Sequence, residues 1–147
     1  MKKEMPYVKE IFIQDDTLPA ERANELSKAL IDNKIRITWS CYSRANLDHE
    51  TLKNMKKSGC RGLHVGYESS DPKILKLMNK GVAVEEMERF TESAYKLGFI
   101  IHADFIIGLP GETIDTIKAT IKWAKKLKVH SYQFVTPKAY KNTPLHS

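Results

Sequence analysis

The hydrophobic pattern of this chain switches repeatedly between a period of two and a period of about 3.6, and that switching limits the folds open to it. Val8 to Gln14 is a short apolar, β-branched run, ended by Asp15-Asp16. Ile35 to Tyr42, Gly62 to Tyr67, Phe99 to Ile107 and His130 to Val135 are four more runs of the same kind. Helical segments lie between them. Thr17 and Pro19 open the first, which Ala23, Leu26 and Leu30 stripe. Asp48 caps the second, with Leu52 and Met55 inside and Gly59 as its stop. Asp71-Pro72 starts a short third helix that ends near Gly81. Val84, Met87, Thr91 and Ala94 line a fourth, stopped by Gly98. Thr113 starts a fifth, whose predicted inner face is Ile114, Ile117, Ile121, Ala124 and Leu127.

Strands separated by whole helices are joined by long crossovers, and long crossovers mean parallel strands. Right-handed crossovers add each strand on the same side as the last. The predicted fold is therefore α/β, with about five parallel strands in sequential order and helices outside them. A doubly wound sheet and part of a barrel both satisfy this. No Gly-x-Gly-x-x-Gly follows the first strand, so nothing supports a dinucleotide fold. A parallel strand covered on both faces is almost wholly apolar. Here Thr38 and Ser40 share one face, as do His64, Gly66 and Glu68, and His102, Asp104 and Ile106, while Gln133 adds another polar group. Two readings of that face stay open: the interior of a wide, partly open barrel holding a polar ligand, or an exposed sheet face with ordinary alternation.

Length and composition bound the rest. A chain of 147 residues is read as one domain, 1–147, with 136–147 as a loop-like tail that has two prolines and no period. Cys41 and Cys60 lie far apart, without a pairing pattern, as free thiols of a cytoplasmic protein. They are expected to be buried as small hydrophobes. No run approaches the roughly 18 apolar residues of a membrane span, and the charged start lacks an apolar signal core. The net charge of +6 comes from 24 basic and 18 acidic side chains and raises the question of nucleic acid. Lys118, Lys122, Lys125, Lys126 and Lys128 crowd one helix, and Lys53, Lys56 and Lys57 another, with no aromatic residues interleaved for base stacking. A solvated helix face is favoured over a nucleic-acid footprint.

The stretch Ile100-Ile-His-Ala-Asp-Phe-Ile-Ile-Gly-Leu-Pro-Gly-Glu-Thr113 carries the clearest site signal. It reads as a strand, a sharp turn and a helix start, with Asp104 on the strand and Glu112 at the helix entry. α/β enzymes build ligand sites at such carboxyl ends of strands. His64 and His102 match no zinc spacing and share no motif with the cysteines, so no metal site is assigned from sequence.

Four ordered blocks resemble the barrel of radical S-adenosylmethionine enzymes. They are Glu10-Ile-Phe-Ile-Gln-Asp-Asp-Thr-Leu18, Ile37-Thr-Trp-Ser-Cys-Tyr-Ser-Arg44, Gly59-Cys-Arg-Gly-Leu-His-Val-Gly-Tyr-Glu-Ser69 and His102-Ala-Asp-Phe-Ile-Ile-Gly-Leu-Pro-Gly-Glu-Thr113. The tail, Thr136-Pro-Lys-Ala-Tyr-Lys-Asn-Thr-Pro-Leu145, is a weaker fifth. The resemblance is to the cobalamin-associated, methylthiotransferase-like and coproporphyrinogen-oxidase-like branches. It implies a partial (β/α) barrel, S-adenosylmethionine and a 4Fe–4S cluster as cofactors, and cobalamin as a further one in some members. It also implies a small-molecule substrate.

The resemblance further implies site residues. Gln14, Asp15 and Asp16 stand where the family meets the methionyl amino group, and carboxylates and carbonyls suit an ammonium. A helix cap is the plainer role for them. Ser40 and Arg44 are placed at the end of the second strand, where a guanidinium grips a carboxylate in a fork. Glu68 and Asp104 are placed near the ribose hydroxyls. For Asp104 the plainer role is a pairing with His102 or His64. The Gly108 to Glu112 turn is placed beside the adenine, with Ile106 or Ile107 packing its face and Gly108 allowing close backbone approach. Glu112 otherwise favours the helix dipole.

One element of the family pattern is absent. Radical S-adenosylmethionine enzymes hold their cluster by Cys-x3-Cys-x2-Cys, and reductive cleavage at that cluster gives a 5′-deoxyadenosyl radical. Cysteine thiolates are the usual ligands of such clusters. This sequence has two cysteines, neither in that motif. The expectation is a part of a longer enzyme that lacks the first βα unit and is not catalytically competent alone. Two alternatives are a binding module for an adenosyl ligand without chemistry, and a tRNA-modifying branch member. Unpaired sheet edges would favour self-association.

Overall fold

The helix starts follow the capping residues. In a computed structural model that describes residues 7–138, Asp48 Oδ1 accepts from the Thr51 N–H at 2.8 Å. Asp71 Oδ1 accepts from the amides of Lys73 and Ile74. Thr113 Oγ1 accepts from the Thr116 N–H. Each side chain satisfies amides that a first helical turn leaves without partners. The elements run β1 (Glu10–Ile13), α1 (Ala20–Asp32), β2 (Thr38–Arg44), α2 (His49–Lys57), β3 (Cys60–Glu68), α3 (Pro72–Leu77), α4 (Val84–Lys96), β4 (Ile100–Ile106), α5 (Ile114–Ala124) and β5 (Ser131–Val135).

The five strands form one parallel sheet in the order β1-β2-β3-β4-β5. This is the sequential α/β arrangement expected from the crossovers. Alternate residues divide the sheet into two unlike faces. Trp39, Cys41, Leu63, Val65, Tyr67, Ile101, Ala103 and Phe105 point into the helix layer. There they form one core with Ala23, Leu52, Met55, Leu75, Met87, Phe90, Ala94 and Trp123. The intervening residues, including Ser40, His64, Gly66, Asp104 and Ile106, are only half-buried on the opposite face.

Buried polar groups in the core are paired. Thr91 Oγ1 donates to the Met87 carbonyl, so the Tyr67 hydroxyl donates to Thr91 at 2.6 Å. Burial pushes the Tyr67 phenol well above its ordinary range. Burial, and then the neighbouring Cys41, also pushes the Cys60 thiol up. Both cysteines are buried and free, as small hydrophobes would be.

Several predicted details shift. β2 begins at Thr38 and continues to Arg44, so Ser40 is its third residue and not near its end. The inner face of α5 is Thr120, Trp123 and Ala124, while Ile114 is 71% exposed. Two hydrogen-bonding side chains set the roll of that helix. Trp123 packs edge-on to Phe105 and Tyr67 and donates Nε1–H to Glu88. Thr120 Oγ1 accepts from the Ser70 amide. Residues 136–138 carry no regular structure, and 139–147 of the predicted tail lie outside the described residues.

Candidate functional site

Strand register arranges the open face in rows. Phe12, Ser40, Gly62 and Ile100 form one row across β1 to β4. Tyr42, His64, His102 and Ser131 form the next, across β2 to β5. Arg44, Gly66, Asp104 and Gln133 form the third, nearer the carboxyl ends. The chemistry expected at the rim is therefore split. Arg44 and Asp104 share a row on either side of Gly66. Ser40 lies two rows lower, roughly 13 Å down the strand at about 3.3 Å per residue. Ser40 and Gly62 are the small members of an aromatic patch. The Phe12 ring packs 4.9 Å from His64 and 5.1 Å from Tyr42, and His64 packs 4.9 Å from His102.

Gln14, Asp15 and Asp16 follow β1 directly and are all exposed at its carboxyl end. Glu68 ends β3 in a left-handed conformation, φ +66°, at a register shift against β4. That turn folds its carboxylate back into the space a Gly66 side chain would fill. Lys80 Nζ meets Glu68 Oε1 there at 3.0 Å, with the two side chains 14% and 15% exposed. The Ser69 and Ser70 hydroxyls and the Ser70 amide fasten onto Thr120 just beyond. Lys80 was not identified from sequence. It sits between Asn79 and Gly81, both at positive φ, and that reversal aims it at the rim.

Asp104 lies on the open face beside His102. Nε2 of His102 is 3.3 Å from Asp104 Oδ1, an oxygen that is buried and accepts no hydrogen bond. His64 is held below its ordinary titration range, first by burial and then by His102. One ligand atom each from His64, His102 and Asp104 lies within 4.8 Å of the others.

The Gly108 to Glu112 turn is closed by its own acid. Glu112 Oε2 accepts from the amides of Gly108 at 2.7 Å and Leu109 at 2.9 Å. Gly108 and Gly111 take φ +94° and +86°. The Gly108 and Leu109 amides are thus already used within the turn. Ile106 is half-buried on the open face, one residue row above Asp104.

Three of the clustered lysines bond within the chain, while Lys118, Lys122, Lys125 and Lys126 are exposed. Lys53 pairs with Glu50, Lys128 with Glu92, and Lys56 donates to the Gly98 carbonyl. A cleft of about 600 Å³ between α1 and α2 is walled by Asn24, Asp48, Thr51 and Asn54, whose polar groups bond one another. No helix among the described residues is long and apolar enough to cross a membrane.

A one-sided helix layer on a sequential parallel sheet, with charged groups gathered at the carboxyl rim, defines a partial (β/α) barrel. Residues 1–124 match the Radical SAM superfamily, and the chain belongs to that superfamily. It is 37% identical over 141 residues to an uncharacterized methyltransferase, PH0819, of Pyrococcus horikoshii, covering 94% of this chain and 31% of that protein. The radical S-adenosylmethionine methyltransferase TsrM from Kitasatospora setae, solved with cobalamin and a [4Fe–4S] cluster bound, superposes with a TM-score of 0.79 at 21% identity, over 92% of this chain and 29% of that one. The coproporphyrinogen III oxidase HemN of Escherichia coli, a radical SAM enzyme, gives 0.77 at 19% identity, over 90% and 32%. The chain thus spans about a third of the length of these relatives.

The donors for an iron–sulfur cluster are not here. Cys41 and Cys60 are buried in the helix-facing core, on the side of the sheet away from the open face. Two thiols so placed cannot ligate three irons.

Proposed function

We propose that this chain is the S-adenosylmethionine-binding wall of a radical S-adenosylmethionine enzyme. The observation that carries the reading is the charge pattern at the carboxyl rim, in a chain of this superfamily. Acids and an amide follow β1, Arg44 ends β2, and the Glu68–Lys80 pair ends β3. Asp104 lies in the row of Arg44 on β4. An amino acid with a ribose attached presents complementary groups: an ammonium, a carboxylate and a pair of hydroxyls.

Each residue then has a task set by its own chemistry. Asp15, Asp16 and the Gln14 amide oxygen receive the ammonium. Arg44 and Lys80 are the cations available to the carboxylate, Arg44 as a fork and Lys80 as a point charge already beside Glu68. Glu68 and Asp104 accept from the ribose hydroxyls. Ile106 offers an apolar surface to the adenine. Glu112 acts one step back, by fixing the turn that borders the adenine side. Ser40 contributes space under the Phe12 ring and no direct contact with the methionyl end.

The cluster does not fit the thiols present, so no part of the reaction is assigned to these residues. The 147-residue chain by itself is proposed to be inactive, and the enzyme that carries this wall takes its cluster ligands from elsewhere. Cobalamin as a second cofactor is supported by the likeness to TsrM. A small molecule is favoured as substrate over tRNA, because no aromatic residues interleave with the helical lysines for base stacking. Two buried free thiols favour the cytoplasm.

The test is the affinity of the full-length enzyme for S-adenosylmethionine, by equilibrium dialysis. Asp104→Ala is expected to weaken binding about 5- to 150-fold, equivalent to about 1–3 kcal/mol for a hydroxyl left unpaired in a buried site. Unchanged affinity removes Asp104 from the ribose. Unchanged affinity in Arg44→Ala, Glu68→Gln and Lys80→Met as well removes the rim from the cofactor altogether. Cluster reconstitution on the 147-residue chain is expected to give no 4Fe–4S absorption or paramagnetic signal, and one cluster per chain would overturn the assignment.

A further inference from the structure

We propose that His64, His102 and Asp104 form a binding site for a divalent first-row transition-metal ion, set in the open face one row below the rim. His64 and His102 are register partners on β3 and β4. Asp104 follows His102 by two residues, so it projects from the same face. A ligand atom from each lies within 4.8 Å of the other two. Two imidazoles and one carboxylate are a donor set of catalytic zinc and mononuclear iron sites, which leave further positions to water or a ligand.

Two details point to an ion and not to a merely polar cluster. The first is that Asp104 Oδ1 is buried without a hydrogen-bond donor. The second is the orientation of His102. Its Nδ1 is 2.8 Å from Ser131 Oγ, while its Nε2 faces Asp104 Oδ1 at 3.3 Å. When Nδ1–H donates to Ser131, Nε2 turns a lone pair toward the carboxylate. Two acceptors then face each other, and a cation between them converts that repulsion into two bonds. With metal–ligand bonds of about 2.0–2.1 Å, the edge of a tetrahedral site is about 3.4 Å, close to this separation. Ser131 holds the ring by its outer nitrogen, as partners of metal-bound histidines do. Gly66, the register partner of Asp104, brings no side chain of its own to the site. Oδ2 of Asp104 stays available to a hydroxyl, so the inference stands apart from the cofactor reading.

The experiment uses Co²⁺ and Zn²⁺ as probes on the 147-residue chain. Co²⁺ is expected to bind one per chain with visible ligand-field bands, and Zn²⁺ to displace it, as followed by calorimetry. His64→Gln, His102→Gln and Asp104→Asn should each lower the affinity at least tenfold, and His49→Gln should not. Circular dichroism checks that the variants are folded. If a histidine variant unfolds, the near-isosteric Asp104→Asn decides. Absence of saturable Co²⁺ or Zn²⁺ binding overturns the site. So does binding that persists in folded Asp104→Asn or in the His64→Gln/His102→Gln double variant.

Discussion

The Glu68 carboxylate lies in the space where a Gly66 side chain would stand, held there by Lys80 at 3.0 Å. Gly66→Ala therefore places a methyl group against the end of a flexible side chain, which can swing away. Urea unfolding should show a loss of no more than about 1 kcal/mol, the scale of a Gly-to-Ala change plus one displaced contact. Ligand affinity at the rim should fall more than stability, because the displaced carboxylate and ammonium both face it. A stability loss without any change in affinity would mean that the pair only supports the β3 end.

Removing Lys80 has the opposite balance. Lys80→Met leaves a mostly buried carboxylate on a strained residue with no cation beside it. The expected loss is about 1–3 kcal/mol in urea unfolding. The double variant Lys80→Met/Glu68→Gln should recover part of it, since neither partner is then left charged and alone. Equal loss in the single and double variants would show that the ion pair does not stabilise the fold.

Gly59 closes the α2–β3 connection at φ +101°, and a Cβ there would run into the Ile37 carbonyl oxygen. Backbone cannot swing aside as Glu68 can. Gly59→Ala is expected to lose about 1–3 kcal/mol from the dihedral alone, with more from the clash, and to lower Tm accordingly. A near-neutral result would mean that the connection can rebuild itself around the new side chain.

The alternation that separates the two sheet faces was readable in the sequence, because each strand repeats every second residue. So were the caps Asp48, Asp71 and Thr113, which act on amides two or three residues away. What escaped depends on distant partners. The row that joins Arg44 to Asp104 and drops Ser40 below them is set by parallel register, which no local pattern encodes. The left-handed turn at Glu68 stands next to Ser69 and Ser70, which bond Thr120 some 50 residues on. The meeting of His64 with His102 has the same origin, since parallel partners carry no spacing motif. For Lys80 there was a local signal in the flanking Asn79 and Gly81, two residues that tolerate positive φ. On the inner face of α5 apolarity alone favours Ile114, whereas Trp123 and Thr120 set the roll through hydrogen bonds.

Tyr67 gives the fold a defined alkaline limit. Its hydroxyl donates to Thr91 inside the core, and burial raises its folded titration point above the ordinary value of 10.0. The unfolded chain loses that proton near pH 10 while the folded chain keeps it. The contribution of Tyr67 is thus complete below about pH 10 and declines as pH rises above it. The slope approaches about 1.4 kcal/mol per pH unit for one proton.

Tyr67→Phe removes the titrating group along with one buried hydrogen bond. It should cost about 1 kcal/mol at pH 7. Above pH 10 it should lose stability more slowly than the wild type, so the two urea midpoints converge. The lysines and the other tyrosines titrate in both proteins, so their effects cancel in the difference. Parallel curves up to pH 11 would show that the Tyr67 hydroxyl reaches solvent in the folded chain.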